Sequence, residues 1–338
     1  MAGTEAREGG GVTRFLTDPE LIAELEPIVE AGLNQHFAAT KDWSPHDYVP
    51  WSVGSNYAAL GGSEWELERS PLSELARIAM VTNLLTEDNL PSYHRAVAGY
   101  FTLDDAWGTW VNRWTVEENR HGIALRDYLV VTRAVDPMEL ERARMLQVAA
   151  GFSPGQQGQG DVAPESFLDA AAYVTFQELA TRVSHRNTGK ACDEPVADAL
   201  LKRIAFDENL HMIFYRGLTG AALDLTPDRA MHSITRILVN FAMPGFSIPN
   251  FRRNAVTMAV GGIYDARQHL EEVVLPVLRK WRIFERTDFT ADGERSRDEL
   301  GAFIVKLEAE AIKFEDAKGR YLERAARKAD RVAAKALV

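Results

Sequence analysis

Glu117-Glu118-Asn119-Arg120-His121 and Asp207-Glu208-Asn209-Leu210-His211 decide how this chain folds. Each ends in Glu-x-x-His, and each follows a lone glutamate at nearly the same distance. Glu87 lies 31 residues before Glu118, and Glu178 lies 30 residues before Glu208. On an α-helix, positions i and i+3 are surface neighbours, so each Glu/His pair can face one centre. Two such pairs plus two single glutamates form the ligand set of a carboxylate-bridged di-iron site in a four-helix bundle.

The segments between the ligands support a duplicated helical hairpin. The midpoint of Glu87 and Glu118 falls at Thr102 to Leu103, just before Asp104 and Asp105, either of which suits a helix N-cap. The midpoint of Glu178 and Glu208 falls at Asp193, between Gly189, which reads as a stop signal, and Pro195, which suits a helix start. Antiparallel helices joined at these points bring each lone glutamate level with its Glu/His pair. Pro91, four residues after Glu87, predicts a kink or break just beyond that ligand.

Charge balance points the same way. Four carboxylates facing a bundle core are costly to bury without cations, and they neutralise two Fe(II) ions while two imidazoles complete the shells. The single cysteine, Cys192, falls in the expected turn and is no ligand candidate. One cysteine forms no intrachain disulfide, which fits a reducing cytoplasm.

The chain has 338 residues, 46% hydrophobic and 26% charged, long enough to bury a substantial core. Apolar residues recur at three-to-four residue spacing, so the fold class is all-α. Helices are expected over roughly 18–40, 71–100, 104–133, 136–150, 165–189, 195–219, 226–242, 251–272 and 295–335. Residues 41–70 read as an irregular stretch over one end of the bundle, and 151–164 as a connector between the hairpins. Residues 1–14 read as a disordered tail, 15–320 as a single domain, and 321–338 as a C-terminal helix or tail. No apolar run approaches a membrane span, and a net charge of −11 argues against general nucleic-acid binding.

At these motifs the chain resembles the soluble acyl-[acyl-carrier-protein] desaturases. The resemblance is carried by Trp114-Thr-Val-Glu-Glu-Asn-Arg-His-Gly122, Phe176-Gln-Glu-Leu-Ala-Thr181, Thr86-Glu-Asp-Asn-Leu-Pro-Ser-Tyr93, Ser184-His-Arg-Asn-Thr188 and Asp207-Glu-Asn-Leu-His211. Plant stearoyl-carrier-protein desaturases carry related motifs. Met243-Pro-Gly-Phe246 and Lys280-Trp-Arg-Ile-Phe284 resemble the actinobacterial and mycobacterial branch more closely.

The resemblance, which spans about residues 15 to 320, implies a ferritin-like bundle with additional helices, a homodimer and two iron ions per chain. It implies O₂-dependent insertion of a double bond into an acyl chain delivered as a thioester on acyl carrier protein. Electrons would come from a ferredoxin-type donor, and the acyl chain would be very long if the chain serves mycolic-acid synthesis. The family's ligands fall on Glu87, Glu118, His121, Glu178, Glu208 and His211, with Glu118 and Glu208 bridging and Glu87 and Glu178 terminal. An unactivated methylene has no acidic proton, so the reaction needs an O₂-derived oxidant at reduced iron inside a dry pocket.

Three further residues suggest roles. Thr181, three positions after Glu178, can reach an oxygen species at the irons, or bond a backbone carbonyl within its helix. Asp207 can orient a ligating histidine. Trp114 is one turn before Glu118; in the family a tryptophan and an aspartate at these places are linked to histidine orientation and electron entry, while core packing explains a tryptophan equally well.

The remaining histidines, His36, His46, His94, His185, His232 and His269, match no ligand spacing and are read as structural. Met80, Met212, Phe176, Phe214 and Tyr173 are either acyl-channel wall or packing. Arg252-Arg253 and Arg279-Lys280-Trp281-Arg282 are candidate basic faces for an acidic carrier, or solvated helix ends.

Other di-iron oxidases, iron storage and a non-catalytic acyl-carrier-binding protein compete with the desaturase reading. A radical enzyme of the ribonucleotide reductase type fits less well, because its first ligand is usually aspartate and the nearest tyrosine here, Tyr128, is two turns beyond His121. Storage subunits are about half this length.

Overall fold

The computed structural model describes residues 16–151, 164–242, 248 and 250–336. The expected tail over 1–14, the connector at 152–163 and the motif at 243–246 lie outside them. Twelve α-helices follow in order among the described residues, joined by 3₁₀ turns, and no strand occurs. The helices are α1 Asp18–Ala39, α2 Glu74–Glu87, α3 Leu90–Phe101, α4 Asp105–Val131, α5 Pro137–Ala150 and α6 Phe167–Cys192. Then come α7 Pro195–Leu225, α8 Pro227–Val239, α9 Phe251–Val260, α10 Ala266–Gln268, α11 Leu275–Lys280 and α12 Ala291–Ala336.

Helices α2, α4, α6 and α7 pack as the expected bundle, with α1 against α4 and α7, and α8 against α6 and α7. Two apolar clusters fill it. One is built around Trp107, Trp110, Phe101, Phe176 and Tyr215. The other is built around Met80, Leu84, Leu125, Tyr128 and Ile204. The glutamates and histidines of the two motifs are buried with them.

The turns follow the sequence reading in outline. Asp104 is the residue before α4, although its side chain accepts from Thr102 Oγ1 at 2.9 Å and not from the helix. Pro91 stands in the first turn of α3, and the chain breaks at Asp88-Asn89 immediately after Glu87.

Gly189 does not stop α6, which runs on to Cys192 and ends on Asp193 in the left-handed region at φ 49°. Gly189 instead allows close approach to α7, since a Cβ there would lie 3.2 Å from Leu201 Cβ. Cys192 is accordingly the buried last residue of the helix and not part of the turn.

The single helix expected over 251–272 is divided. It ends at Gly261, Gly262 turns with φ +78°, and the chain resumes as α10, a π-helical turn His269–Val274 and α11. Residues 41–70 form four short 3₁₀ turns. Trp43 from this stretch inserts into the second cluster. Helix α12 spans the expected boundary at 320–321, and residues 319–328 on it are all exposed. No helix among the described residues is long and apolar enough to cross a membrane.

Candidate metal centre

Glu87 closes α2, Glu118 and His121 lie mid-way along α4, Glu178 on α6, and Glu208 and His211 on α7. The fold brings all six together in two overlapping groups. Glu87, Glu118, His121 and Glu208 form one, and Glu118, Glu178, Glu208 and His211 the other; within each, one ligand atom per residue lies within 4.8 Å of the rest. Glu118 and Glu208 belong to both. All six side chains are buried, from 0% exposed for His121 and His211 to 8% for Glu118.

The donor set fits metal ions. Buried polar atoms normally find hydrogen-bond partners, yet Glu118 Oε1, Glu178 Oε2, Glu208 Oε1, His121 Nδ1 and His211 Nδ1 have none. Their nearest polar neighbours are one another: His211 Nδ1 lies 2.8 Å from Glu118 Oε1 and 3.5 Å from Glu178 Oε2, and His121 Nδ1 lies 3.4 Å from Glu208 Oε1. Five buried oxygen and nitrogen donors converging from three helices are what two cations need and what apolar packing would reject.

The electrostatics follow from this crowding. Burial, reinforced by Glu118 and Glu208, holds Glu87 well above the usual carboxylate range, and burial with Glu208 and Glu118 does the same to Glu178. Burial opposes charge on the histidines, but Asp207, Glu118 and Glu208 raise His121, and Glu117, Glu118 and Glu178 raise His211.

The residues around the cluster orient it. Trp114 Nε1 donates to Glu178 Oε1 at 3.0 Å, so this tryptophan holds a carboxylate and not a histidine. The Thr181 hydroxyl stands 2.9 Å from the Glu178 carbonyl and 2.8 Å from Glu208 Oε2, with one hydrogen to donate. Asp207 is fully buried 3.3 Å from His121 Nε2; its other donors are Trp43 Nε1 at 2.8 Å, Arg203 at 2.5 Å and Arg120 at 3.2 Å. The tryptophan joined to the aspartate is thus Trp43, from the irregular stretch.

Three residues of the site escaped the sequence reading. Glu117 accepts from His211 Nε2 at 2.9 Å; it occupies in its motif the place of Asp207, and the duplication was the signal for it. His36 lies 3.0 Å from Glu117 Oε2. His185 is not remote: its Nε2 is 2.9 Å from Glu87 Oε1, and burial lowers its pKa to about 4. His94, bonded to Thr115, is structural as expected.

Of the five possible channel residues, Tyr173 lines a cavity, while Met80, Met212, Phe176 and Phe214 pack in the core among the described residues. That cavity, small at about 50 Å³ and almost wholly apolar, is lined by Tyr93, Val97, Tyr100, Trp114 and Tyr173 among others. A second, of about 100 Å³, reaches from Phe251 and Met258 on α9 to Thr181 and His185. Arg252 and Arg253 are exposed on α9. Trp281 is buried and donates to the Arg216 carbonyl, so it does not interleave with the exposed cations around it.

A fatty acid desaturase family model matches residues 17–333. The chain belongs to this family. A Mycobacterium tuberculosis protein named as the acyl-[acyl-carrier-protein] desaturase DesA1 is 61% identical over 319 residues, 94% of each chain. DesA2 of the same organism, named likewise, is 35% identical over 261 residues, 77% of this chain and 92% of its own. The chloroplastic acyl-[acyl-carrier-protein] desaturase 6 of rice is 29% identical over 309 residues, 82% of this chain and 70% of its own. The X-ray structure of DesA2 superposes with a TM-score of 0.64 at 32% identity, covering 78% of this chain and 94% of that one. The bundle is thus the ferritin-like architecture expected of the family, an oxidoreductase family, and its buried Glu/His cluster can hold metal ions.

Proposed function

We propose that this desaturase inserts a double bond into an acyl chain carried as a thioester on acyl carrier protein, using two iron ions and electrons from a ferredoxin-type donor while O₂ is reduced to water. The observation that carries the reading is the pair of overlapping buried groups that share Glu118 and Glu208. In this reading Glu118 and Glu208, which belong to both groups, would serve both ions, while Glu87 and His121 would hold one and Glu178 and His211 the other. Two reduced iron ions supply the O₂-dependent, hydrogen-removing chemistry that no side chain here possesses.

The protein's part is positioning. Thr181 fixes Glu208 and Trp114 fixes Glu178, while Asp207 and Glu117 hold the histidine rings in register. An acyl chain entering beside α9 would pass Thr181, and its tail would have to widen the small apolar cavity beside Trp114 to lodge there. Exposed Arg252 and Arg253, on the helix that supplies Phe251 and Met258 to the cavity at Thr181, suit an acidic carrier. The two names from M. tuberculosis and the rice name support the carrier-bound substrate. The protein acts as a homodimer in the cytoplasm, and a very long acyl chain of mycolic-acid synthesis falls within the proposal.

The test is turnover. Anaerobically iron-loaded protein receives C16 to C24 acyl-carrier-protein thioesters, reduced ferredoxin and O₂, and the acyl chains are weighed by mass spectrometry. Loss of two hydrogens, abolished in Glu118→Ala, is the expected result. Gain of one oxygen would make the protein a hydroxylase, and no change despite bound, reducible iron would sink the desaturase reading for these substrates.

A further inference from the structure

We propose that His36 and Glu117 form a positioning relay that serves only one of the two metal subsites, the one containing His211. The inference rests on the metal reading above and assigns function to a histidine outside the four ligand-bearing helices. Glu117 Oε2 lies 2.9 Å from His211 Nε2 and 3.0 Å from His36 Nε2. Its Oε1 takes the Thr40 hydroxyl at 3.3 Å and the Arg113 guanidinium at 2.6 Å. Both carboxylate oxygens are therefore engaged, as a fully buried anion requires.

The relay has its own walls. His36 is 3% exposed and stacks near His211, with ring centroids 5.9 Å apart at 19°. Trp110 meets the His36 ring edge-on at 5.2 Å, so the imidazole is held by packing as well as by hydrogen bonding. No residue is shared with the opposite arm, where Asp207 takes His121, Trp43, Arg120 and Arg203. Each metal-facing histidine thus has a separate carboxylate behind it, and each carboxylate is fixed by a different outer element, α1 through His36 or the irregular stretch through Trp43.

The chemical consequence is directional. A donor bond from His211 Nε2 to Glu117 leaves Nδ1 facing Glu118 and Glu178, and it fixes both the tautomer and the ring plane. Removing a partner of this kind commonly lowers metal affinity by about 10- to 100-fold. Because the two arms are separate, the loss should fall on one ion and spare the other.

Cobalt(II) titration of the full-length protein tests this, read by calorimetry and by the visible bands of bound cobalt. In His36→Leu, one of two cobalt ions is expected to bind about 10- to 100-fold more weakly, with the other unchanged. His36→Gln, whose amide can still donate to Glu117, should restore most of the loss. Trp43→Phe, which removes a donor to Asp207, should weaken the ion with the other spectral component. Unchanged binding in a folded His36→Leu protein, or equal weakening of both ions, would overturn the relay. A wild-type protein that binds no cobalt pair would overturn the metal reading and the relay with it.

Discussion

Thr181 illustrates how one hydroxyl is divided between structure and site. It can satisfy the Glu178 carbonyl or Glu208 Oε2, and only the second contact touches a proposed bridging ligand. Thr181→Val keeps the shape and removes the hydrogen bond. It should lower kcat by tenfold or more, the equivalent of about 1.4 kcal/mol, while iron still binds at two per chain. Thr181→Ser should retain most of the rate. Single-turnover desaturation with measured iron content distinguishes the two.

Residues of this inner kind were legible because helical spacing is a local code, and the duplication of Glu-x-x-His repeated it. The same duplication held a signal for Glu117, its match to Asp207, that the spacing of the ligands alone did not bring out. His36 and Trp43 were not legible. They contact their carboxylates across 81 and 164 residues of chain, and no periodicity links positions so far apart.

At the scale of the element, the junction of α6 and α7 carries two predictions. Glu194 caps α7 by accepting from Val196 N at 3.0 Å and Ala197 N at 2.8 Å, and it accepts from the Tyr128 hydroxyl at 2.6 Å. Burial pushes its carboxyl up, but Tyr128 and the two amides outweigh that and hold it below the usual value. Its stabilisation is therefore complete above the unfolded carboxyl range, near pH 4.3, and is lost as pH falls through the lower folded value. Glu194→Gln should cost about 1 kcal/mol at pH 7, and the gap to wild type should narrow under acid in urea denaturation.

Gly189→Val places a branched side chain where even a Cβ meets Leu201 Cβ at 3.2 Å. Separating the two helices there should cost about 1–3 kcal/mol and lower the melting temperature by several degrees. An unchanged melting curve would mean that the interface has slack. Gly189 was misread because glycine marks both helix ends and close helix contacts, and sequence alone does not separate the two. The break after Glu87 was readable from Pro91, which stands in the first turn of α3, although Pro27 shows that proline can also sit inside an unbroken helix.

For the whole molecule, the central consequence is that folding and metal binding are linked. Burial and mutual repulsion push the Glu87 and Glu178 carboxyls up, so a cation competes with protons there. Metal uptake should release protons into a weak buffer, and affinity should rise with pH. Metal that binds only the folded chain stabilises it by about 2.7 kcal/mol per site at a hundredfold excess over Kd. Calorimetric melting should therefore move upward on anaerobic addition of Fe(II) and return on chelation. No shift would contradict a site formed only in the fold.

The break at Asp88-Asn89 separates two duties that a continuous helix would have joined. Glu87 ends α2, whereas the apolar cavity wall at Tyr93, Val97 and Tyr100 belongs to α3. The joint between them is pinned by Asp88, which pairs with Arg144 of α5 at 2.6 and 3.0 Å. On the proposed function, that separation divides length from chemistry: exchanging Tyr93, Val97 or Tyr100 for larger or smaller residues should change which tails fit while metal stoichiometry stays at the wild-type value. Trp114, which lines the same cavity and holds Glu178, does not share that freedom.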